Sequence, residues 1–544
     1  MEQARIFLAI ALSFLVIFAW QFFMVKPEAP SAPAETSQAP NVAVPAVPQS
    51  DIKATDSRMP FKATLPARVI TIDTPLYIAK ISERGAVFES FVLKNYRETA
   101  EKDSPMKALI PKNLPGGTLY TDFSGGDFPN LDNAVFTASL DVEDLSVSGT
   151  PRDVVFSCAS PGGVVVEKRF RFSSDTYLVG LDVTVKNTST QPVEGVLSVG
   201  LSGQSPANEA TYGFEGPSAL INNSLEQIKI KSIKDKNLYD GKIGWAAIEG
   251  RYFFSAIIPK TSETSRLHLS VAQDNVLKSQ YVLPAVTLDP ATVKTFAFDL
   301  FFGPKSLKIL SQYHNGLDKL VHFGMFDIIA KPCLWLMNYI YSVIPNYGVA
   351  IIILTIIIKL ILWPLGNKSY ASMNQMKKIQ PLMAEIREKY KDDKKKMNEE
   401  LMGLYRIYKV NPMGGCLPMV LQIPVFFALY RMLYEAIELR HAPFVGWIND
   451  LAAPDRLFRF DFSIPFMEPP YGIPVLTIIM GATMLLQQKM SPPPGDPTQA
   501  KMMMLMPVVF TFIFINFSSG LVLYWLVNNI LSIAQQYYVG RKNA

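Results

Sequence analysis

The stretch from Tyr347 to Pro364, YGVAIIILTIIIKLILWP, constrains this chain more than any other. It is almost entirely β-branched and aliphatic, and its length approaches the ~20 residues a helix needs to cross a bilayer. It also carries one cation, Lys359. A charge at the bilayer centre costs about 2.5–3.5 kcal/mol on insertion scales, which makes such a residue a functional-site hypothesis. Lys359 lies five residues before Pro364, roughly 7–8 Å at the helical rise, so its stem could instead snorkel to the interface. On this span alone both readings stay open.

The chain has 544 residues, of which 49% are hydrophobic, so it has room for two or three domains but is too apolar for an ordinary soluble enzyme. The net charge of +5 is unevenly placed. Cys158, Cys333 and Cys416 lie far apart, as do His268, His314, His322 and His441. Neither set has metal-ligand or disulfide spacing, and no cofactor is expected.

Ile6–Met24 is an apolar run broken only by Ser13 and Gln21, with Trp20, Phe22 and Phe23 at its exit. The length and the interfacial aromatics predict an uncleaved signal-anchor span over residues 1–26. Residues 27–60 are a Pro/Ala-rich linker that cannot bury a core. From 61 to 304 the period becomes two. TYLVGLDVTVKN (176–187) places Tyr177, Val179, Leu181, Val183 and Val185 on one face, and 164–172, 266–273 and 295–302 behave alike. Short strands separated by turn clusters predict a large antiparallel all-β sandwich, with Cys158 as a core residue. Gln204–Lys242 is polar and reads as a long loop or an insertion. Leu310, Tyr313, Leu317 and Leu320 then step by 3 and 4, predicting an amphipathic helix within 305–342, either packed on the sandwich or lying in the membrane interface; because it leads directly into a span, the interfacial reading is favoured.

Residues 365–411 hold 11 Lys/Arg against 6 Asp/Glu. Met376, Ile379, Met383, Ile386 and Tyr390 form one stripe, and Met397, Leu401, Leu404 and Tyr408 another. The pattern predicts a helical hairpin, bent at Pro381, with Asp392 or Asp393 capping its second helix. Apolar segments near 345–364, 414–434, 472–488, 502–517 and 520–539, added to the anchor, make six spans. Flanking cations put the basic hairpin and both termini inside the cell. The β domain and the loop 436–471, with 3 Lys/Arg against 5 Asp/Glu, then fall outside. Polar side chains recur in the spans: Thr355, Gln422, Thr483, Gln487, Gln488, Thr511, Asn528, Asn529, Gln535 and Gln536. Singly each is ordinary helix glue; together they permit a wet cavity in the inner half of the membrane. No acid lies within the spans to serve a proton relay, and neither an HExxH motif, paired span aspartates nor a phosphate loop occurs.

QPLMAEIREKY, KVNPMGGCLPMVLQIPVFFALYRML, APFVGWINDL, QQKMSPPPGDPTQAKMM and FSSGLVLYWLVNN occur in this order across roughly 345–540. These motifs resemble the YidC membrane-protein insertases, and the anchor followed by a large outside domain resembles their Gram-negative branch. The resemblance implies a five-helix insertase core (343–544) and a periplasmic β-supersandwich without catalytic function. It implies a hydrophilic groove open to the cytoplasm and the lipid, with a cation in the second span. Carried onto this chain, the groove residues are Lys359, Thr355, Gln422, Thr483 and Asn528. The client contacts are Met419, Phe426, Met506, Phe510, Tyr524 and Trp525, and the hairpin residues are Gln380, Pro381, Asp392 and Asp393. The family usually has an arginine where this chain has Lys359, which keeps the charge but not bidentate hydrogen bonding. The implied activity is insertion and folding of integral membrane proteins in the inner membrane, a non-enzymatic role. The implied partners are nascent membrane proteins, the Sec translocon (SecYEG and SecDF), membrane lipids, and the ribosome, with no specific nucleic-acid sequence. Because the tail RKNA is short, ribosome contact would use the hairpin and Met490–Lys501. The rival class is a secondary transporter or channel for an anionic solute. It predicts interrupted helices in two related halves, and no such repeat is found.

Overall fold

The computed structural model describes residues 67–542, except 126–127, 129–130, 207–212, 262, 409, 411–416 and 492–496. For 273, 394, 417–421, 497–500 and 542 it describes the backbone alone. The expected anchor, the linker and residues 61–66 lie outside the described residues.

Val69 to Pro304 is a β region built on one sheet of five strands and one of thirteen. Strand Leu178–Asn187 buries Val179, Leu181, Val183 and Val185 on one face, the period-two set read from sequence. It pairs antiparallel with Val164–Phe172 on one side and Val293–Pro304 on the other. Among the described residues one strand pair departs from the antiparallel rule, Val69–Asp73 running parallel to Asp144–Ser146. The sheets meet through aromatic rings: Phe88 of strand Val87–Arg97 lies 5.5 Å from Phe170, and Phe91 lies 4.8 Å from Phe302. Ring pairs at such spacing add about 0.5–1.5 kcal/mol each beyond their area.

Gln204–Lys242 is not simply a long loop. Within it Gly216–Ile221 and Ser224–Gln227 form a hairpin, and its two turn residues, Asn222 and Asn223, both have positive φ (49° and 69°). Asparagine tolerates that region, which two-residue hairpin turns demand. All six residues of GPSALI are buried, so the strand shows no alternation to read.

The stripe at 310–320 also folds differently from the expected amphipathic helix. His314 and Gly316 sit at positive φ (52° and 78°) and interrupt it. A helical turn, Leu307–Leu310, and 3-10 turns at Ser311–Tyr313 and Leu317–Leu320 replace it. Leu310, Leu317 and Leu320 are buried, and Trp245 Nε1 donates to the Gly316 carbonyl at 3.1 Å. The stripe is thus docked by a fixed buried tryptophan. Regular helix begins with α1 (Asp327–Val343), which exposes Ile328, Trp335, Tyr339 and Val343.

Six more helices follow: α2 (Tyr347–Lys389), α3 (Lys394–Ile407), α4 (Leu417–Glu435), α5 (Val475–Met490), α6 (Pro497–Phe514) and α7 (Ser519–Lys542). Among the described residues, α2 alone is long and apolar enough by itself to cross a membrane; Val475–Met490 and Lys501–Phe514 are shorter apolar helices. The helix that carries the expected second span does not stop at Pro364: α2 continues through Pro364 and Pro381 for 43 residues. Asn346 caps its start, accepting from the Val349 N–H at 3.1 Å. Asp393 caps α3 in the same way, accepting from Lys396 at 3.1 Å. Ile379, Met383, Leu401 and Leu404 are buried in the α2–α3 seam, with Met376, Ile386, Met397 and Tyr405 against them. Tyr408 turns outward instead. In the bundle α7 packs along α2 and α5, α5 along α6, and α4 against α1 and α2.

The β region grips the far end of α4. Arg251 donates to the Tyr434 carbonyl at 2.7 and 3.1 Å and lies over the Tyr434 ring. Lys305 meets the fully buried Glu249 at 2.5 Å, and Ser306 donates to Glu438 at 3.3 Å. Burial pushes the Glu438 carboxyl above its ordinary range.

Candidate functional site

A cavity of about 50 Å³ opens between α2, α4 and α7. A water needs about 10–15 Å³ of such volume, so several fit. Thr355, Lys359, Gly366 and Tyr370 line it from α2, Gln422 from α4, and Tyr524, Asn528 and Gln535 from α7. The reason is helical spacing. On α2 the liners differ by 4, 7 and 4 residues, and on α7 by 4 and 7, so each set stays on one face.

Lys359 Nζ donates to Ser532 Oγ at 2.6 Å, and Ser532 Oγ in turn donates to the Asn528 carbonyl at 2.7 Å. Thr355 Oγ1 returns to its own helix, donating to the Ile351 carbonyl at 2.6 Å. Gln535 Nε2 crosses from α7 to α2, donating to the Trp363 carbonyl (3.0 Å) and Asn367 Oδ1 (2.9 Å). Gly366 allows that approach, since a Cβ there would stand 2.6 Å from Gln535 Nε2. The result is a lysine set among hydroxyl and amide groups between α2, α4 and α7.

Four of the five expected groove residues, Lys359, Thr355, Gln422 and Asn528, line this one cavity. Thr483 does not. It sits on α5, where Asn529 Nδ2 donates to its hydroxyl at 3.2 Å. Of the expected client contacts, Phe426, Phe510 and Trp525 pack on one another with Phe514, Trp525 lying 4.7 Å from Phe426 and 4.8 Å from Phe514. Tyr524 is buried in the cavity wall, Met506 is 43% exposed on α6, and the side chain of Met419 lies outside the described residues. Pro381 is exposed and Gln380 half-buried within α2, while Asp392 and Asp393 form the hairpin tip. Ser532 and Tyr370 escaped the sequence reading. Ser532 falls one turn after Asn528 and three residues before Gln535, and that stripe was its available signal.

A β region carried on a helical bundle, in which one helix is long and apolar enough to cross a membrane and a lysine sits among polar groups, fits a membrane-resident class of protein. Comparison with known proteins narrows it. Residues 69–336 match the family model "YidC periplasmic domain", and 339–544 match "60Kd inner membrane protein". The membrane protein insertase YidC of Syntrophus aciditrophicus is 40% identical, covering 98% of this chain and 99% of its own. That of Syntrophobacter fumaroxidans is 41% identical, covering 99% and 100%. A solved structure, an active YidC insertase with its first transmembrane domain resolved, covers 87% of this chain and 94% of its own at 18% identity and TM-score 0.37. The chain belongs to the YidC family of membrane protein insertases, inner-membrane proteins with a periplasmic domain.

Proposed function

We propose that this chain inserts and helps fold membrane proteins by lending the polar cavity around Lys359 to the hydrophilic flank of a client. The observation that carries the reading is the Lys359–Ser532 contact within a cavity walled by α2, α4 and α7. A client's polar flank entering there exchanges water for a cation, hydroxyls and amides, and so crosses a shorter apolar path. Burial of the client's ~20 apolar residues in lipid drives the step. The membrane potential adds about 2.3 kcal/mol per acidic charge per 100 mV. Phe426, Met506 and Phe510, with Met419, are the surface along which the client's apolar segment would slide.

The topology that serves this mechanism has six spans, the basic α2–α3 hairpin and both termini in the cytoplasm, and the β domain and loop 436–471 outside. The excess of Lys/Arg in 365–411 supports it. Nascent membrane proteins are the clients. The Sec translocon, the ribosome at the hairpin and Met490–Lys501, and membrane lipids are the proposed partners.

The test is client insertion in cells carrying Lys359→Ala or Lys359→Arg. Arg is expected to support insertion, and Ala to impair clients with charged flanks most. Equal insertion of every client by Lys359→Ala would remove the cavity charge from the mechanism.

A further inference from the structure

The segment joining α4 to α5 is amphipathic in the reverse of the usual sense. Two of its charged side chains, Asp455 and Arg456, turn inward. Buried Asp455 accepts from Trp447 Nε1 at 2.5 Å and from the N–H of Leu476 at the start of α5. Arg456 donates to the carbonyls of Ile515 and Pro470, each at 2.8 Å, and to Asn516 Oδ1 at 3.2 Å. Three of its phenylalanines turn outward. Strands Leu457–Phe460 and Tyr471–Ile473 pair with a register slip between Leu457 and Arg459, and the extra residue, Phe458, has φ 51° and is 68% exposed. Phe462 is 64% exposed, and Phe466, at φ 64°, is 85% exposed. A bulge re-aims a side chain, and a bulky residue at positive φ is a genuine outlier. Water gives no reason to aim three phenyl groups outward, since each exposed Å² forgoes about 25 cal/mol of burial.

The position of the segment supplies the reason. Asn516 Nδ2 donates to the Phe466 carbonyl at 3.0 Å, just past the last turn of α6, where Phe512 and Ile513 are themselves exposed. Pro454 bridges Ser518 at the head of α7, and Ile473 lies two residues before α5 begins. The exposed apolar residues at the end of α6 and those of the hairpin therefore lie on segments joined at Asn516. On its other side Arg459 pairs with Glu101 of the β domain at 2.7 Å.

We propose that this hairpin is seated in the lipid surface, with Phe458, Phe462 and Phe466 reaching past the headgroups of the outer leaflet into the acyl boundary. Aromatic and apolar side chains on one face bind that layer by buried area. Helix α1, whose exposed face bears Ile328, Trp335 and Tyr339, packs against α2 and α4, whereas the hairpin is tied to the start of α5 and the end of α6. The hairpin thereby sets the depth of a part of the bundle that α1 does not reach. The inference rests on the outside placement of loop 436–471 proposed above.

The test uses the full chain with Cys158, Cys333 and Cys416 replaced by serine, reconstituted in phospholipid vesicles. Nitroxide labels are placed through Phe462→Cys, Phe466→Cys and, as a water-facing reference, Asp461→Cys. Oxygen is expected to collide with the labels at 462 and 466 several-fold more often, relative to a water-soluble nickel complex, than with the label at 461. Equal ratios at all three sites would overturn the proposal by showing a solvated hairpin. Shielding of 462 and 466 from both reagents would overturn it too, by showing a protein cover. Reaction of Asp461→Cys with a membrane-impermeant thiol reagent, in right-side-out and inverted vesicles, reports the side independently. A wrong side and a wrong depth are therefore told apart.

Discussion

Lys359 Nζ stands 2.6 Å from Ser532 Oγ and so ties α2 to α7 across the cavity. A hydrogen bond to a charged group is worth about 1.5–3 kcal/mol. Ser532→Ala is expected to lower the thermal unfolding midpoint of the purified protein in micelles. It should impair insertion less than Lys359→Ala, because the charge stays. Greater impairment by Ser532→Ala would assign the hydroxyl, and not the cation, the main part.

Two glycines should respond in opposite senses. At Gly366 an added Cβ stands 2.6 Å from an amide already held by two hydrogen bonds. Gly366→Ala is expected to destabilise, overpacking costing about 1–3 kcal/mol against a helix-propensity gain near 1 kcal/mol. Gly403 on α3 has nothing within 4 Å of that position. Gly403→Ala should stabilise the hairpin by about 0.5–1 kcal/mol, read as slower hydrogen exchange along α3.

Lys168 points into the sandwich core. Its Nζ donates to the Gly85 carbonyl at 2.6 Å, and burial pushes its pKa down to about 8, with Asp132 and Cys158 pulling the other way. The unfolded chain, with an ordinary lysine, therefore binds more protons between about pH 8 and 10.5, so this group's contribution to stability rises through that window. The gain is on the order of 3 kcal/mol. Below pH 8 the folded protein carries the whole cost of the buried charge. Lys168→Met should flatten the full-length protein's denaturation midpoint against pH between about pH 8 and 10.5 relative to the parent. Parallel pH profiles would refute this.

Glu249 is fully buried and faces Lys305 at 2.5 Å where the β region meets the bundle. Removing one member of a buried pair costs about 3–5 kcal/mol, because the other charge is stranded. Lys305→Met is expected to loosen the junction, seen as faster proteolysis of full-length protein between Arg251 and Glu438. Adding Glu249→Gln should restore most of the resistance.

Periodicity carried the reading wherever one face met a core and the other did not. Strand Leu178–Asn187 and the α2–α3 seam are of this kind, since burial there imposes the pattern that sequence displays. It failed where burial was two-sided or where single backbone angles decided the path. GPSALI is buried on both faces, and His314 and Gly316 break a stripe that keeps helical spacing on either side. Polar residue type pointed to Lys359, Thr355, Gln422 and Asn528, which share one cavity. It could not separate Thr483, which faces Asn529, because which face of α5 meets α7 is a matter of packing. Lys168 was hidden for another reason: an inward lysine breaks the alternation that identified its strand.

The unbroken course of α2 gives the molecule a lever. Its 43 residues at ~1.5 Å each make a rod of about 65 Å, roughly twice the ~30 Å hydrocarbon layer. One arm bears Lys359 and the other bears the hairpin. A load on the hairpin tip at Asp393 therefore arrives at the cavity through hydrogen-bonded backbone, with no loop in between to absorb it. Pro364 and Pro381 each remove one rung of that ladder, and they mark where the rod gives first.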